Sequence, residues 1–266
     1  MTPIAHWDDV DIEELETGRL QELGAAAGSR RLSLDRIRVP AHGEIAPPAG
    51  HRREQLHFVL AGSGTLTGAD VGPGQTVLYR PDEEVEPLVA GRDGLDLLMF
   101  SVAAGEAAPS HPGPRPPRVV ALPDIELEEN AHETHQFGQR DIGGAIGVER
   151  AGLAHMTIRS ASEGFPPHCH SAEEELFIVL SGNGQLFLDD EEHAVRAGTV
   201  ISRPAGTGIS HSFVADPDSS LTVLAYGERR TEDIVLYRRT GLVWIRGLRR
   251  LVRSEPREDY WSAATS

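Results

Sequence analysis

Cysteine is almost missing from this chain of 266 residues: there is one, Cys169, so no disulfide can form within the molecule. A single thiol suits a reducing compartment. Aromatic residues make up only 5%. Basic residues are scarce as well, with 25 Lys and Arg against 41 Asp and Glu and a formal net charge of −16. A phosphate backbone needs a cationic face, so nucleic acid is excluded as an expected partner. The same acidity disfavours an anionic membrane surface. No apolar run reaches the roughly 18–20 residues of a membrane helix. The N-terminus, MTPIAHWDDVDIEELE, has neither a basic start nor an apolar stretch, so it is not read as a signal peptide. The expectation is a cytoplasmic protein.

What is plentiful is turn chemistry and short apolar runs. With 28 Gly and 18 Pro, frequent turns point to an all-β architecture. The chain also repeats itself at an offset of about 120 residues. LGAAAGSRRLSLDRIRV (23–39) matches IGGAIGVERAGLAHMTI (142–158), and Pro47-Pro48 matches Pro166-Pro167. VLAGSG (59–64) matches VLSGNG (179–184), GPGQTVLYRP (72–81) matches RAGTVISRP (196–204), and LDLLMF (95–100) matches LTVLAY (221–226). A shared offset over five segments indicates a duplicated domain. The stretch AGEAAPSHPGPRPPR (104–118) holds five prolines and reads as a stiff linker. The expected organisation is 1–105, a linker at 106–118, and 119–266. LFIVL (176–180), QLFLD (185–189), GTVIS (198–202) and LTVLAY (221–226) read as strands, and VLSGNGQLFL as a hairpin. Helix is expected only at 11–27 and at 244–253.

The chemistry concentrates in GFPPHCHSAEEELFIVLSG (164–182). Alternate side chains of a strand share a face, so His168 and His170 project together and Cys169 points away as an inert thiol. Two imidazoles on one face suit a divalent metal. Glu175 follows, with Glu174 and Glu173 as the other carboxylate candidates. His211 comes after the turn PAGTGIS.

This arrangement resembles the cupin superfamily. The family's first motif runs Gly, His-x-His, three or four residues, Glu, six residues, Gly. Here His168-Cys169-His170 is followed by four residues, Glu175, six residues and Gly182. The second motif runs Gly, five residues, Pro-x-Gly, then His. Here it reads Gly198, five residues, Pro204-Ala205-Gly206, then His211. Three residues separate Gly164 from His168 where five is usual, and four separate Gly206 from His211 where two is usual. The resemblance covers almost the whole chain and extends to uncharacterised bacterial bicupins through PAGTGISHSF and LAYGERRTEDIVLYRRTG. It implies two tandem cupin jelly-roll barrels with short terminal extensions. It also implies one divalent transition metal (Fe, Mn, Ni or Zn) on His168, His170, Glu175 and His211, with Glu175 the candidate catalytic base.

The first repeat departs from the motif. In PPAGHRREQLHFVLAG, Ala49 stands for His168, His51 for His170 and Gln55 for Glu175, while Glu86 falls near His211. Its site reads as lost, with His51, Glu54 and Glu86 the remnants able to bind anything. His155 and Thr157 share a strand face, either near the metal or simply packed. His132 and His135 read as surface residues. The Arg-rich 238–253 is expected to pair with the acidic body or to close it as an amphipathic segment. Two readings of function follow: a metal-dependent dioxygenase, or isomerase or lyase working through an enolate, on a small oxygen-chelating molecule; or a non-catalytic ligand-binding or structural module. A homodimer is the weakly expected assembly.

Overall fold

The computed structural model describes residues 3–48, 50–81, 85–103 and 118–254. The chain is two jelly-roll units in tandem, nearly all β. The expected linker falls almost wholly outside the described residues, as does Ala49. Among the described residues no helix is long and apolar enough to cross a membrane.

Each half builds one large antiparallel sheet. In the N-terminal half, nine strands include Arg53–Leu66, Gln75–Tyr79, Leu88–Ala103 and Leu32–Val39. In the C-terminal half, seven include Glu175–Ser181, Thr199–Arg203, Leu221–Glu228 and Ala151–Ile158. The halves exchange edge strands. Ile4–His6 pairs antiparallel with Thr199–Arg203, and Val119–Ala121 pairs with Gln75–Tyr79. Gly198 takes φ +93°, and a Cβ there would strike the Trp7 indole that arrives with the exchanged strand.

The run Leu176-Phe177-Ile178-Val179 is apolar throughout because both faces of its strand are buried. Leu176 and Ile178 enter a core shared by the two halves, with Leu34, Leu56, Phe58 and Phe100 from the first and Leu224 and Tyr226 from the second. The Phe100 and Tyr226 rings lie 5.1 Å apart. Phe177 and Val179 face the opposite way, into the interior of the second unit, with Met156, Ile158, Ile201 and Phe213. A third core fills the first unit around Val39, Val59, Val77 and Tyr79.

Two buried carboxylates tie the halves together in matching ways. Glu174 accepts from the backbone N–H of Arg30 (2.8 Å) and Arg31 (2.7 Å) and from the Ser29 hydroxyl (3.1 Å). Glu54 accepts from the backbone N–H of Glu149 (2.8 Å) and Arg150 (3.1 Å). Each repeat thus uses the same carboxylate to cap the same loop of the other.

Both helix expectations are corrected. Residues 11–27 form the strands Glu13–Leu15 and Gly18–Gln21, and only Leu23–Ala26 is helical. Gly18 sits at φ +143°, and Gly18–Gln21 extends the sheet edge offered by Leu32–Val39, a tertiary pairing that overrides local helix preference. Residues 244–253 likewise belong to Leu242–Ile245 and Arg250–Arg253, joined by the short turn Arg246–Leu248. Their partner is the strand Ile234–Tyr237, whose free edge supplies the hydrogen bonds.

Removing either latch carboxylate leaves two backbone donors without a partner. Glu174→Ala and Glu54→Ala are each expected to destabilise the fold by about 3 kcal/mol. Urea denaturation checks this, and a loss below about 0.5 kcal/mol would show that the latches are idle.

Candidate metal centre

Glu175 opens the strand whose Leu176 and Ile178 are committed to the shared core, so the pleat turns Glu175 inward with Phe177 and Val179. The same alternation sends Glu174 to the other half. Glu173 is buried too, accepting from the Arg230 N–H at 2.6 Å and from the Arg246 guanidinium. Of the three consecutive carboxylates, only Glu175 reaches the Nε2 side of the imidazoles, while Glu173 lies behind, 3.6 Å from His170 Nδ1.

His168 and His211 are held by a two-way backbone bridge, His168 N–H to His211 O at 3.2 Å and the reverse at 2.8 Å. The longer turn before His211 is pinned at several points. The Gly206 N–H bonds His170 O (2.9 Å), the Asp189 N–H bonds Ser210 O (2.9 Å), and the Ser210 N–H bonds the Asp189 carboxylate (2.8 Å). The two extra residues therefore bulge without carrying His211 out of place.

The four side chains meet. Coordinating atoms of His168, His170 and Glu175 lie within 4.8 Å of one another. Glu175 Oε2 is 3.4 Å from His170 Nε2 and 3.2 Å from His211 Nε2. The His168 ring lies 5.2 Å from that of His170 and 4.5 Å from that of His211. Despite these approaches, His170 Nε2, His211 Nε2 and Glu175 Oε2 are buried without a hydrogen-bond partner.

The far ring nitrogens explain the orientation. His168 Nδ1 donates to Pro166 O at 2.8 Å, and His170 Nδ1 donates to Asp233 at 2.7 Å. A carbonyl only accepts, so the His168 proton is on Nδ1 and its Nε2 is a bare lone pair. Asp233 is fully buried and also accepts from the backbone of Ala172 (2.9 Å) and Glu173 (3.2 Å). It escaped the sequence reading because it lies 63 positions from His170, in a stretch with no metal-ligand spacing. An acid just before an apolar strand, Asp233 after Glu232 and ahead of IVLY, is its only trace in sequence.

Burial opposes a charged His170, but Glu175, Asp233 and Glu173 outweigh it and lift the imidazole to about 9. His168 is pushed down to about 4 by burial and by neighbouring His211. His211 is also lowered, first by burial. Burial alone would raise Glu175, yet the imidazoles around it hold the carboxyl well below its ordinary range.

A chamber of about 10 Å³ adjoins these groups, lined by Cys169, His170, Glu175, Arg203, Pro204, Thr207, Ile209 and His211. That is room for about one water. Beyond His168 lies an apolar groove of about 460 Å³ walled by Pro166, Tyr237, Leu242, Trp244 and Leu251. The Tyr237 ring is 5.6 Å from that of His168.

Other expected residues fall elsewhere. Cys169 is buried rather than turned outward. His155 pairs across the sheet with Leu224, so it and Thr157 lie on the sheet face away from Glu175. His132 is exposed, and His135 bonds Gly164 O at 2.7 Å. The Arg-rich segment does pair with acids, Arg239 with Glu163 at 2.7 Å and Arg246 with Glu173. In the first unit, Gln55 stands opposite Tyr79 in the register where Glu175 faces Arg203. His51 is buried, Glu54 is spent on its latch and Glu86 is exposed.

A family model described as Cupin domain matches residues 154–226. A search of curated proteins finds no match. Solved structures of similar fold include a mutant oxalate decarboxylase of Bacillus subtilis, 15% identical, covering 84% of this chain and 76% of that one, with TM-score 0.62. A second is the formate complex of Lactobacillus farciminis oxalate decarboxylase, 13% identical over 85% and 86%, with TM-score 0.63. A third concerns the Mn(II) centres of the Bacillus subtilis enzyme, 15% identical over 86% and 78%, with TM-score 0.63. At these identities the likeness is one of fold.

In chelator-treated protein, NMR titration of the histidine Cε1 protons is expected to place His170 near 9 and His168 near 4. Asp233→Asn keeps the shape, removes the charge and lowers the His170 value. An unchanged His170 titration would mean that Asp233 does not set its charge.

Proposed function

We propose that the chain is a cupin, on the match of the Cupin domain model to residues 154–226, and that its C-terminal unit is a metal-dependent enzyme. One divalent transition metal is held by His168, His170, Glu175 and His211, and the substrate is a small molecule that chelates through oxygen. The observation that carries this reading is the set of buried, partnerless tips: His170 Nε2, His211 Nε2 and Glu175 Oε2. Orphaned polar atoms are costly in an interior unless something binds them. Three imidazoles beside an ionised carboxylate are a donor set that fits a cation, with His170 giving up its Nε2 proton as the ion binds. The Mn(II) centres named for a protein of like fold support a divalent ion.

When bound, such an ion supplies Lewis-acid chemistry, and iron or manganese adds one-electron chemistry with O₂. The rest is the protein's share. Pro166 O and Asp233 hold His168 and His170 in the tautomer that points Nε2 inward. Glu175 either remains a ligand or swings away and takes a proton from the substrate at Oε2. The apolar groove past Tyr237 shelters whatever part of the substrate does not enter the chamber. A dioxygenase and an isomerase or lyase are both compatible with these parts. We further propose the division 1–105, linker 106–118 and 119–266, with the first unit a scaffold for the second.

The narrowness of the chamber favours a second reading, a non-catalytic module whose metal is structural. Metal analysis of protein made without a His tag separates both readings from an empty site, and about one ion per chain is expected. His168→Ala, His170→Ala and His211→Ala are each expected to lose the ion with the fold largely kept, because the three cores and not the metal hold the chain. Asp233→Ala is expected to weaken metal affinity about 10–100-fold. An O₂-uptake screen against diketones, catechols and keto acids then sorts the chemistry. Uptake that needs Fe(II) and vanishes in His168→Ala marks a dioxygenase, turnover without O₂ an isomerase or lyase, and no turnover the structural role.

A further inference from the structure

The chamber beside Glu175 is lined by a single guanidinium, that of Arg203, which Glu175 and Asp189 favour in its charged form without pairing with it. Arg203 pairs with Glu175 in the strand register, so the two side chains leave the sheet on the same, inner face. Arg203 is only 5% exposed. Its Nη2 donates to Ile209 O at 2.6 Å, and its Nε–H is buried without a partner. Among the described residues no carboxylate oxygen comes within ion-pair distance of it. Glu175 lies against His170 and His211 instead. Asp189, at the edge of the site, bonds the Ser210 N–H. A guanidinium cannot discharge itself by losing its proton, so a buried one with an unused donor calls for an anion.

We propose that Arg203 is the specificity-determining residue of the C-terminal site, and that it selects an anionic oxygen ligand, a carboxylate or enolate, over a neutral one. The inference rests on the metal reading above and extends it to the charge of the substrate. Of the charged side chains lining the chamber, Glu175 and Arg203 are opposite in sign. Between them they cancel, which leaves the charge of a divalent ion for the ligand to neutralise. Without Arg203 the carboxylate would already offset half of that charge, and the pull on an anion would be weaker. A chamber with room for about one water admits a single ligand oxygen beside the guanidinium. The first unit lacks both charges at the matching register, with Gln55 for Glu175 and Tyr79 for Arg203. Arg80, which the repeat aligns with Arg203, comes one position after that register and donates to Ile146 O at 3.0 Å instead, so only the second unit places an Arg opposite the ligand carboxylate.

The test uses the full chain loaded with cobalt(II), whose visible absorption reports on added ligands. Formate and formamide are the probes, nearly equal in shape and different in charge. Wild type is expected to bind formate at least about 10-fold more tightly than formamide. Arg203→Met and Arg203→Gln are expected to weaken formate about 10–100-fold, with formamide unchanged within about twofold. Arg203→Lys keeps the charge and the long stem, is the variant safest for folding, and retains part of the formate preference. Formate affinity unchanged in Met and Gln variants that keep cobalt would overturn the proposal. So would a parallel fall for both probes, or loss of cobalt itself, since either makes Arg203 a prop for Glu175. A preference lost in the Lys variant but kept in the Gln variant would also overturn it. Wild type that takes up no cobalt refutes the metal reading, and this proposal falls with it.

Discussion

Everything at the site depends on two sheets being buried on both faces at once. Leu176 and Ile178 are held in the core between the halves, against Leu56, Phe58 and Phe100. With a two-residue period, that commitment leaves no freedom in where Glu175 points. A slip of one residue would send Glu174 inward and Glu175 toward Arg30 and Arg31, breaking the latch and emptying the site together. The packing between repeats thus selects one carboxylate out of three.

The electrostatics of the centre form two layers. Inside, three imidazoles and one carboxylate face each other, and the tips of His170, His211 and Glu175 are buried without a hydrogen-bond partner. Behind them, Asp233 and Glu173 are buried acids held by backbone donors and by Arg246. The outer layer orients the inner one. Asp233 fixes which nitrogen of His170 carries the proton, as Pro166 does for His168. It also explains why an acidic chain keeps a short Arg-rich segment near its C-terminal end: Arg246 closes the back of the site, and Arg239 fastens Glu163 close by. The exchanged strands add a further constraint. Ile4–His6 lies directly beside Thr199–Arg203, the strand that carries Arg203. The start of the chain thus braces the unit farthest from it in sequence.

The duplication was legible because repeated glycines, prolines and apolar runs survive where side-chain detail has diverged. Most strands were legible because their runs are short and turn-bounded. The convergence of the His168, His170, Glu175 and His211 side chains was legible because their spacing is local to two strand pairs. The two helices expected at 11–27 and 244–253 fail for one common reason. Each is a polar, amphipathic stretch whose pattern also suits an edge strand, and an open sheet edge nearby settled the matter. His155 was left between two roles because face assignment in a doubly buried sheet cannot be read from alternation of polarity alone.

From its sequence alone this protein is determined to be a duplicated, turn-rich β chain with one unit bearing a clustered His and Glu set. Those are properties of composition, repeat and spacing, which travel along the chain. Tertiary structure decided the exchange of edge strands, the paired latches of Glu54 and Glu174, the support of His170 by Asp233 and the placement of Arg203 opposite Glu175. Each of these joins residues from 28 positions apart, for Arg203 and Glu175, to more than 190, for Ile4 and Ile201. No local pattern marks such contacts, because the forces that form them act only once burial has brought distant strands together.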